Sequence, residues 1–250
     1  MVPAVTEFGR PHRHQRQTDS TNARARELAL AGAPGGLVVT ASEQSAGRGR
    51  QGRGWFGAAG SSLLYSALLR PLGERPLLPL AVPLAVCEAA EELAPGVSCG
   101  VKWPNDVWVG HRKLAGVLIE SRPGGVEDSW AVIGIGLNVA VRRNDFPPEL
   151  AETATSLLAE SGEGAVLDVG DALAALNRAL GPWVDAPPQR VLAAFRERDL
   201  LAGRAVAWDR GEGIVAGIDD SGHLLVDAAG KRVALGAGEV HLRTADPQAS

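Results

Sequence analysis

The sequence predicts an α+β fold that ends in a small β-barrel. The chain has 250 residues, of which 45% are apolar, enough for one large domain and a small additional module. The predicted strands and helices fit an α+β fold better than a regular βαβ array. From Gly203 onward, short apolar runs alternate with Gly and Asp turns, a texture typical of a small barrel. We therefore divide the chain into an N-terminal tail (1–17), a large domain (18–202) and a barrel (203–245).

Helices in the large domain are predicted from apolar periodicity and from their end signals. Residues 1–17 lack periodicity and indicate a tail or a first strand. The first helix is predicted at 22–31, because Asp19, Ser20 and Thr21 offer N-terminal caps and Gly32 offers a C-terminal stop. Further helices are predicted at 79–93, with Pro83 in an early turn, and at 169–183 and 189–200.

Strands are predicted from apolar and β-branched runs bounded by turn residues. In the large domain they are 37–41, 63–69, 97–102, 107–109, 114–121 and 130–141. In the barrel they are 205–208, 214–218, 224–226, 232–235 and 240–242. The segment 145–156 is polar and contains proline, so a loop with a short helix is expected there.

The charge distribution argues against a general nucleic-acid-binding protein. The formal net charge is −4, whereas such proteins are usually strongly basic. Residues 1–53 nevertheless carry eight Arg against four acidic residues, so this part either meets an anion or is a solvated tail.

Cysteine use and hydropathy indicate a cytosolic protein. Cys87 and Cys99 do not have a metal-ligand spacing, and a disulfide between them is conceivable but unsupported. No signal-peptide core follows Met1, and no apolar run reaches the roughly 18 residues of a membrane span. We expect no metal site built from protein ligands and no membrane partner.

Lysine is rare in this chain and concentrated in one segment. There are three Lys against 22 Arg, and two of them, Lys102 and Lys113, lie between Val101 and Glu120. An ammonium is a compact point charge, whereas a guanidinium is a broad planar fork. A lysine that is kept here therefore indicates contact with a single oxygen, and Lys113 is expected to be fixed by entering a strand.

A glycine-arginine loop follows the second predicted strand. Residues 47–52 match G-x-G-x-x-G, but no helix start follows them, so we reject a dinucleotide-binding fold. Glycines leave backbone N–H groups open to an anion, and Arg48 and Arg50 can point to one side. The alternatives are a mobile surface loop or a short RNA-binding segment. If the loop binds an anion, we expect it to be mobile without the anion and to become ordered when the anion binds.

Several of these segments together resemble the biotin protein ligase, or biotin–[acetyl-CoA-carboxylase] ligase, family. The resemblance covers about residues 17–243 and rests on segments 19–22, 43–50 with Trp55, 102–106, 112–116 and 134–139. It implies a class II synthetase-like catalytic domain with a mixed sheet and flanking helices at 18–202, and an SH3-like barrel at 203–245. Too few residues precede Thr18 for the N-terminal DNA-binding domain of some members, so we expect a monofunctional enzyme without a nucleic-acid partner.

The resemblance also implies a reaction and its participants. Biotin and MgATP would give biotinyl-5′-AMP and pyrophosphate, and the biotinyl group would then pass to one lysine of a biotin carboxyl carrier domain. The implied small molecules are biotin, ATP and Mg²⁺. Family members often pair through a sheet edge, so a homodimer is compatible with the resemblance.

The resemblance assigns roles to named residues. The catalytic set is Lys113, Arg48, Arg50 and Asp106. The biotin-contacting set is Ser20, Thr21, Asn22, Gln44, Arg48, Gly49, Arg50, Lys113, Gly116, Gly134 and Gly136. The ATP-contacting set is Arg48, Arg50, Trp55, Lys102, Asn105, Lys113 and Asn138.

Some of these roles have structural alternatives. Lys102 contacts phosphate or the acceptor, or else forms an ion pair. Asp106 orients or deprotonates the acceptor lysine, caps the turn at Asn105 or binds Mg²⁺. Trp55 stacks near adenine or packs in the core, and Asn138 is structural or lies near the ribose. Two other tryptophans, at 103 and 108, are expected in the core.

Overall fold

Seven strands form the main sheet of the computed structural model, which describes residues 6–125, 128–236 and 240–242. The order across this sheet is β1-β2-β3-β7-β6-β5-β4. The first two strands are parallel and all other neighbours are antiparallel. The strands are β1 (His12–Gln15), β2 (Val38–Ala41), β3 (Ser62–Leu69), β4 (Gly100–Lys102), β5 (Asp106–Val109), β6 (Arg112–Arg122) and β7 (Trp130–Asn138).

Five α-helices within the described ranges accompany the sheet. Four lie close to the predicted bounds, whereas the short helix expected within 145–156 follows that segment, at 157–160. The five helices are α1 (Thr21–Leu30), α2 (Leu78–Leu93), α3 (Leu157–Glu160), α4 (Val169–Val184) and α5 (Pro188–Arg198). One expectation needs correction, because Ser20 holds the N-cap position of α1 but its side chain makes no cap bond. Of the two alternatives for residues 1–17, a first strand is confirmed at residues 12–15, which pair with β2.

Two predicted strands are shorter than expected. The strand predicted at 97–102 begins only at Gly100, and the one predicted at 130–141 ends at Asn138. Both differences arise where apolar residues are buried without ladder pairing, as at Val97 and Val141. Apolarity alone does not separate a strand from a buried loop.

Alternation along β3 directs side chains to two different layers. Leu63, Tyr65, Ala67 and Leu69 belong to the large core under α2, α4 and α5. Leu68 points the other way, into a small core with residues of α1. Because side chains on a strand alternate between faces, Ser66 also lies on the α1 face, and the candidate site is built there.

A second, antiparallel sheet follows α5. Its strands are β8 (Ala205–Trp208), β9 (Gly211–Ile218), β10 (Leu224–Ala228), β11 (Lys231–Leu235) and β12 (His241–Leu242), in the order β11-β10-β9-β8-β12. The predicted strands are therefore present, but the ladders among the described residues do not close into a barrel. The indole N–H of Trp103 donates to Gly222 O at 3.0 Å and ties the two sheets together.

Two of the remaining expectations concern cysteines and membranes. Cys87 and Cys99 are buried free thiols, so the conceivable disulfide is not formed. No helix within the described ranges is long and apolar enough to cross a bilayer. The cytosolic location stays a prediction.

Glu91 of α2 joins three elements through hydrogen bonds. Its carboxylate accepts from Arg198, the last residue of α5, at 2.6 and 2.7 Å, and from the Cys99 N–H at 2.9 Å. Desolvation raises the pKa of Glu91, but the bonds from Arg198 and Cys99 together outweigh it and leave the pKa below its usual value. This paired carboxylate fixes α5 against α2 and the start of β4.

Glu91→Gln is expected to lower the free energy of unfolding at pH 7 by about 1–3 kcal/mol, because Arg198 loses its charged partner. A depressed folded-state pKa stabilises the fold above the unfolded value of 4.5, and this contribution is lost as the pH falls through the lower folded value. Urea denaturation at pH 7 and pH 3 should therefore show a large difference from wild type that shrinks in acid.

Glu92→Gln is the matched control. Glu92 pairs with Arg178 at the surface, where the side chains are 52% and 61% exposed, so a change below about 0.5 kcal/mol is expected. Equal losses in the two variants, or a Glu91→Gln difference that persists at pH 3, would contradict the assigned role.

Candidate active site

A pocket lies on the α1 face of the main sheet, beside α1 and beneath the glycine-arginine loop. Its volume is about 150 Å³. Gly116 and Gly136 are paired across β6 and β7, and Gly134 of β7 is paired with Ser66 of β3. The three glycines form a floor without side chains in the middle of the sheet.

Almost all residues that the sequence assigned to the site lie together in this pocket. Asn138 alone among them does not line it. The lining includes Ser20, Thr21, Asn22, Gln44, Arg48, Gly49, Arg50, Trp55, Lys102, Asn105, Asp106, Lys113, Gly116, Gly134 and Gly136.

One end of the pocket is neutral, polar and buried. The start of α1 brings Thr21 and Asn22 there, exposed by only 4% and 5%. Gln44 Oε1 accepts from the Thr21 N–H at 2.7 Å and lies 3.0 Å from Thr21 Oγ1. Because buried polar groups must be paired, this end suits a small ligand that carries both N–H and C=O groups.

Two neighbouring side chains, Trp55 and Asn22, pack directly over the glycine floor. A Cβ added at Gly136 would lie 2.2 Å from the Trp55 indole, and one at Gly134 would lie 2.1 Å from Asn22 Oδ1. Neither contact tolerates a side chain, so glycine is required at both positions. Trp55 packs on the sheet and also lines the pocket, and its indole nitrogen is buried without a hydrogen-bond partner among the described residues.

The glycine-arginine loop folds back on itself as a small hairpin. Gly49 N donates to Arg53 O at 2.7 Å, and Trp55 N donates to Gly47 O at 3.0 Å. The expectation of open glycine N–H groups is therefore wrong for Gly49, whose N–H is used inside the loop. Gln51 has a φ of 55° at the hairpin tip.

Asn105 anchors this hairpin to the sheet. Its Oδ1 accepts from Arg50 Nη1 at 3.1 Å, and its Nδ2 donates to Val117 O at 2.7 Å. The Val117 N–H in turn donates to Asn105 O at 3.0 Å. The turn predicted around Asn105 thus connects the arginine loop to β6.

Lys113 enters the pocket from the start of β6. Its N–H donates to Thr153 O at 2.8 Å, and its carbonyl accepts from the Thr155 N–H at 2.9 Å. Its Nζ lies 2.7 Å from Asp106 Oδ1 and 5.5 Å from the centroid of the Trp55 ring. The backbone and the side chain are therefore both held, as the sequence predicted.

The opposite end of the pocket from the Thr21 cluster is strongly cationic. Among the described residues, the lining contains five cationic side chains, Arg48, Arg50, Arg53, Lys102 and Lys113, and one carboxylate, Asp106. A unit charge about 4 Å from another contributes on the order of 4 kcal/mol at an effective dielectric of about 20. This end can hold two anionic groups together.

Lys102 and the two neighbouring tryptophans have separate roles. Lys102 lines the pocket with its Nζ 4.7 Å from the Trp108 ring centroid, which is a cation–π distance. Trp103 is buried in the core, as predicted, whereas Trp108 is only partly buried.

Asn138 serves the fold rather than the pocket lining. It is 3% exposed, its Nδ2 donates to Thr155 O at 2.9 Å, and its Oδ1 accepts from Ser62 Oγ at 3.3 Å. Each end of its amide thus makes a hydrogen bond within the protein, which favours the structural alternative over the expected ATP contact.

Tyr65 and Val240 are among the lining residues that sequence reasoning missed. Tyr65 of β3 donates to Asn177 Oδ1 at 2.9 Å, and burial raises the pKa of its phenol. Val240, 2% exposed, reaches the pocket from the segment before β12.

Comparison with known proteins adds evidence to this geometry. The profile of the Biotin/lipoate A/B protein ligase family matches residues 14–138. A biotin–[acetyl-CoA-carboxylase] ligase of Mycobacterium tuberculosis is 37% identical over 251 residues, covering 91% of this chain and 87% of that protein. The bifunctional ligase/repressor BirA of Bacillus subtilis is 42% identical over 147 residues, but the match spans only 45% of that protein.

A solved structure extends the similarity over both sheets. The biotin protein ligase from Aquifex aeolicus in complex with biotin and ATP has a TM-score of 0.79 and 27% identity, covering 94% of this chain and 99% of that chain. The matched profile and the long match to the mycobacterial ligase show that this chain belongs to the Biotin/lipoate A/B protein ligase family.

Proposed function

We propose that this chain is a biotin protein ligase that carries out two reactions in one pocket. In the first, a biotin carboxylate oxygen attacks the α-phosphorus of ATP, forming an acyl–phosphate bond and releasing pyrophosphate. In the second, the ε-amino group of an acceptor lysine attacks the acyl carbon, forming an amide and releasing AMP with loss of a proton. The acceptor that we propose is a biotin carboxyl carrier domain.

One observation carries this proposal: a neutral polar end and a cationic end share a single pocket. Biotin has a neutral ureido ring at one end and a carboxylate at the other, so its two ends match the two ends of the pocket. A lipoate dithiolane offers no N–H or C=O group to the hydrogen-bonding capacity that Thr21 and Gln44 still have at the pocket wall, whereas Asn22 is already bonded within the protein. Buried polar groups left unpaired cost about 1–3 kcal/mol each, which favours biotin over lipoate.

The cationic end supplies the chemistry of the first reaction. The carboxylate and the α-phosphate repel each other, and preorganised positive charge stabilises the more concentrated charge of the transition state. Lys113 is held both by its backbone bonds to Thr153 and Thr155 and by Asp106, 2.7 Å from its Nζ. We assign Lys113 to the oxygens of the reacting carboxylate and phosphate, and Arg48 and Arg50 to the adenylate.

Mg²⁺ fits this pocket as the counter-ion of the nucleotide. No group of three or more His, Cys, Asp or Glu side chains is placed to hold a metal ion in the described parts of the chain. Mg²⁺ keeps several waters and is usually bound by phosphates with one or two carboxylates. We propose that Mg²⁺ bound to the triphosphate would neutralise phosphate charge, and that Asp106 is the carboxylate of the described lining that could help to hold it.

Finer features of the fold and assembly are also proposals. We propose that the main sheet is class II synthetase-like and that the five-stranded sheet is an SH3-like module, with the boundary near residue 203. Burial of Val240 against the pocket supports a contribution of this module to the site. Pairing of two chains through a sheet edge remains a prediction that sedimentation analysis can test.

The first test is Lys113→Ala. Removing this cation is expected to slow biotin-dependent exchange between ATP and pyrophosphate by about 10²–10³-fold, because transition-state charge loses its stabilising partner. Lys231→Ala is the matched control, since Lys231 is an exposed lysine of β11. An exchange rate in Lys113→Ala equal to that of the control would remove Lys113 from the reaction. Wild-type exchange with lipoate but not with biotin would overturn the proposed substrate.

Arg50→Ala addresses retention of the intermediate. Arg50 joins the loop to Asn105 at 3.1 Å, so its loss frees the hairpin and removes a charge from the adenylate. Without acceptor, we expect the biotinyl-adenylate to leave the enzyme about tenfold faster, which rapid gel filtration after a timed chase measures. Arg204→Ala, an exposed arginine beside β8, should retain the intermediate as wild type does. Identical rates of adenylate release from the two variants would contradict the assignment of Arg50 to the adenylate.

Asp106→Asn separates the two reactions. We propose that Asp106 steadies Lys113 in the first reaction and orients the acceptor ammonium in the second, where the amine must lose a proton. Transfer from chemically supplied biotinyl-adenylate should slow by about tenfold or more, a magnitude typical of proton-transfer catalysis. A normal transfer rate accompanied by slow adenylate formation would limit Asp106 to holding Lys113.

A further inference from the structure

A buried chain of side chains runs from the neutral end of the pocket to the far side of α1. Ser66 Oγ lies 2.8 Å from Thr21 Oγ1 and 2.6 Å from Asn22 Oδ1. Asn22 Nδ2 donates to Glu120 Oε2 at 2.8 Å and to Leu118 O at 3.4 Å. Ser66 is fully buried, and neither Ser66 nor Glu120 lines the pocket or belongs to the expected site residues.

The direction of each hydrogen bond in this chain follows from counting protons. Glu120 Oε2 and Leu118 O are acceptors, so the Asn22 amide nitrogen faces them and its oxygen faces Ser66. A carbonyl oxygen only accepts, so the single Ser66 hydroxyl proton goes to Asn22 Oδ1. Ser66 Oγ is then left as an acceptor for Thr21.

Thr21 also has one hydroxyl proton but two oxygen neighbours. Ser66 Oγ is 2.8 Å away and Gln44 Oε1 is 3.0 Å away. The Gln44 oxygen could accept this proton at 3.0 Å in addition to the Thr21 N–H, but Ser66 Oγ has given its own proton to Asn22 and its contact at 2.8 Å is the shorter one, at a typical O–H···O distance of about 2.7–2.8 Å. The proton therefore goes to Ser66, and the lone pairs of Thr21 Oγ1 and Gln44 Oε1 meet at the pocket wall without a proton between them.

We infer that Ser66 and Glu120 are positioning residues that make the Thr21 hydroxyl oxygen an acceptor for an N–H group of the bound substrate. The chain runs from the substrate N–H to Thr21, Ser66, Asn22 and finally the Glu120 carboxylate. All of its bonds point the same way and end on a negative charge, so each polarises the next. The inference rests on the proposed function in one respect, which is that the N–H belongs to the ureido ring of biotin.

Glu120 is held at the outer end of this chain. Its side chain is 31% exposed, and Arg26 Nη1 lies 4.0 Å from its Oε1. The Oε1 side faces Arg26, while Oε2 remains directed at Asn22. This geometry allows the terminal charge to be changed at the surface without altering the buried part of the chain.

Titration calorimetry with biotin alone, without ATP, tests the inference. Ser66→Ala is expected to weaken biotin binding by about tenfold, since one buried hydrogen bond is lost and Thr21 is freed to turn its proton toward the substrate. Glu120→Gln, which keeps an acceptor but removes the charge, should weaken it by about two- to threefold. Thr40→Val is the control, because Thr40 is a buried hydroxyl of β2 that bonds His12 and His14 outside the pocket.

Carbamate analogues of biotin separate this role from a structural one. In each analogue, a ring oxygen replaces one ureido N–H without changing the ring size. One of the two analogues places its ring oxygen against Thr21. Relative to biotin, the wild type should bind this analogue about 100-fold more weakly and Ser66→Ala only about tenfold more weakly. In the wild type, Ser66 holds the Thr21 proton, so two acceptor oxygens face each other, whereas in Ser66→Ala the Thr21 hydroxyl can turn and donate to the analogue. A general disturbance of the pocket would weaken biotin and both analogues equally.

Each outcome has a distinct meaning. Equal losses of biotin and both analogues in Ser66→Ala, or unchanged biotin binding in Glu120→Gln, would overturn the inference. If Ser66→Ala does not fold, the surface variant Glu120→Gln decides it through the same analogue comparison. Failure of the wild type to bind biotin at all would instead refute the proposed function.

Discussion

Two anions that must react repel each other, and this constraint explains how the site is built. Within the part of the chain that the structure describes, five cationic side chains and one carboxylate line the pocket. Lys113 has little freedom, because its backbone bonds Thr153 and Thr155 and its ammonium bonds Asp106. A flexible surface lysine would lose its side-chain entropy at the moment of reaction, whereas this one has lost it on folding. The rest of the site serves to bring biotin and nucleotide to this point.

The main sheet separates stability from function by using its two faces differently. One face carries the large apolar core under α2, α4 and α5. The other carries only a small core with α1, and the remainder is a glycine floor on which Trp55 lies. A central sheet that is rigid on one side can leave its other side bare for a ligand. The arginine hairpin covers this side and is tied to the sheet through Asn105.

Much of this arrangement could be predicted from the sequence, because the signals for it are local. Apolar periodicity gave the principal helices and strands, and the motif segments at Thr21, Gln44, Arg50 and Lys113 identified residues that converge on one pocket. Features that depend on distant partners could not be predicted. Ser66 is an ordinary serine in an apolar strand until the start of α1 lies against it.

The expectations that failed share this physical cause. Asn138 follows a motif-like run, yet its amide is used by Ser62 and Thr155. Gly49 is a glycine in an anion-binding pattern, yet its N–H closes the hairpin on Arg53. In both cases a backbone or side-chain partner inside the protein takes the group that the pattern offered to a ligand. Closure of the small sheet likewise depends on long-range pairing that short apolar runs do not encode.

The most direct measurement of the central claim uses the unmodified protein without any acceptor. Purified protein is incubated with biotin, Mg²⁺ and ATP labelled in its α-phosphate, and the products are separated by chromatography. If the cationic end joins the two anions, labelled biotinyl-adenylate forms only when biotin is present, with one pyrophosphate released for each adenylate. Folded protein that binds biotin and ATP but forms no labelled adenylate would contradict the account.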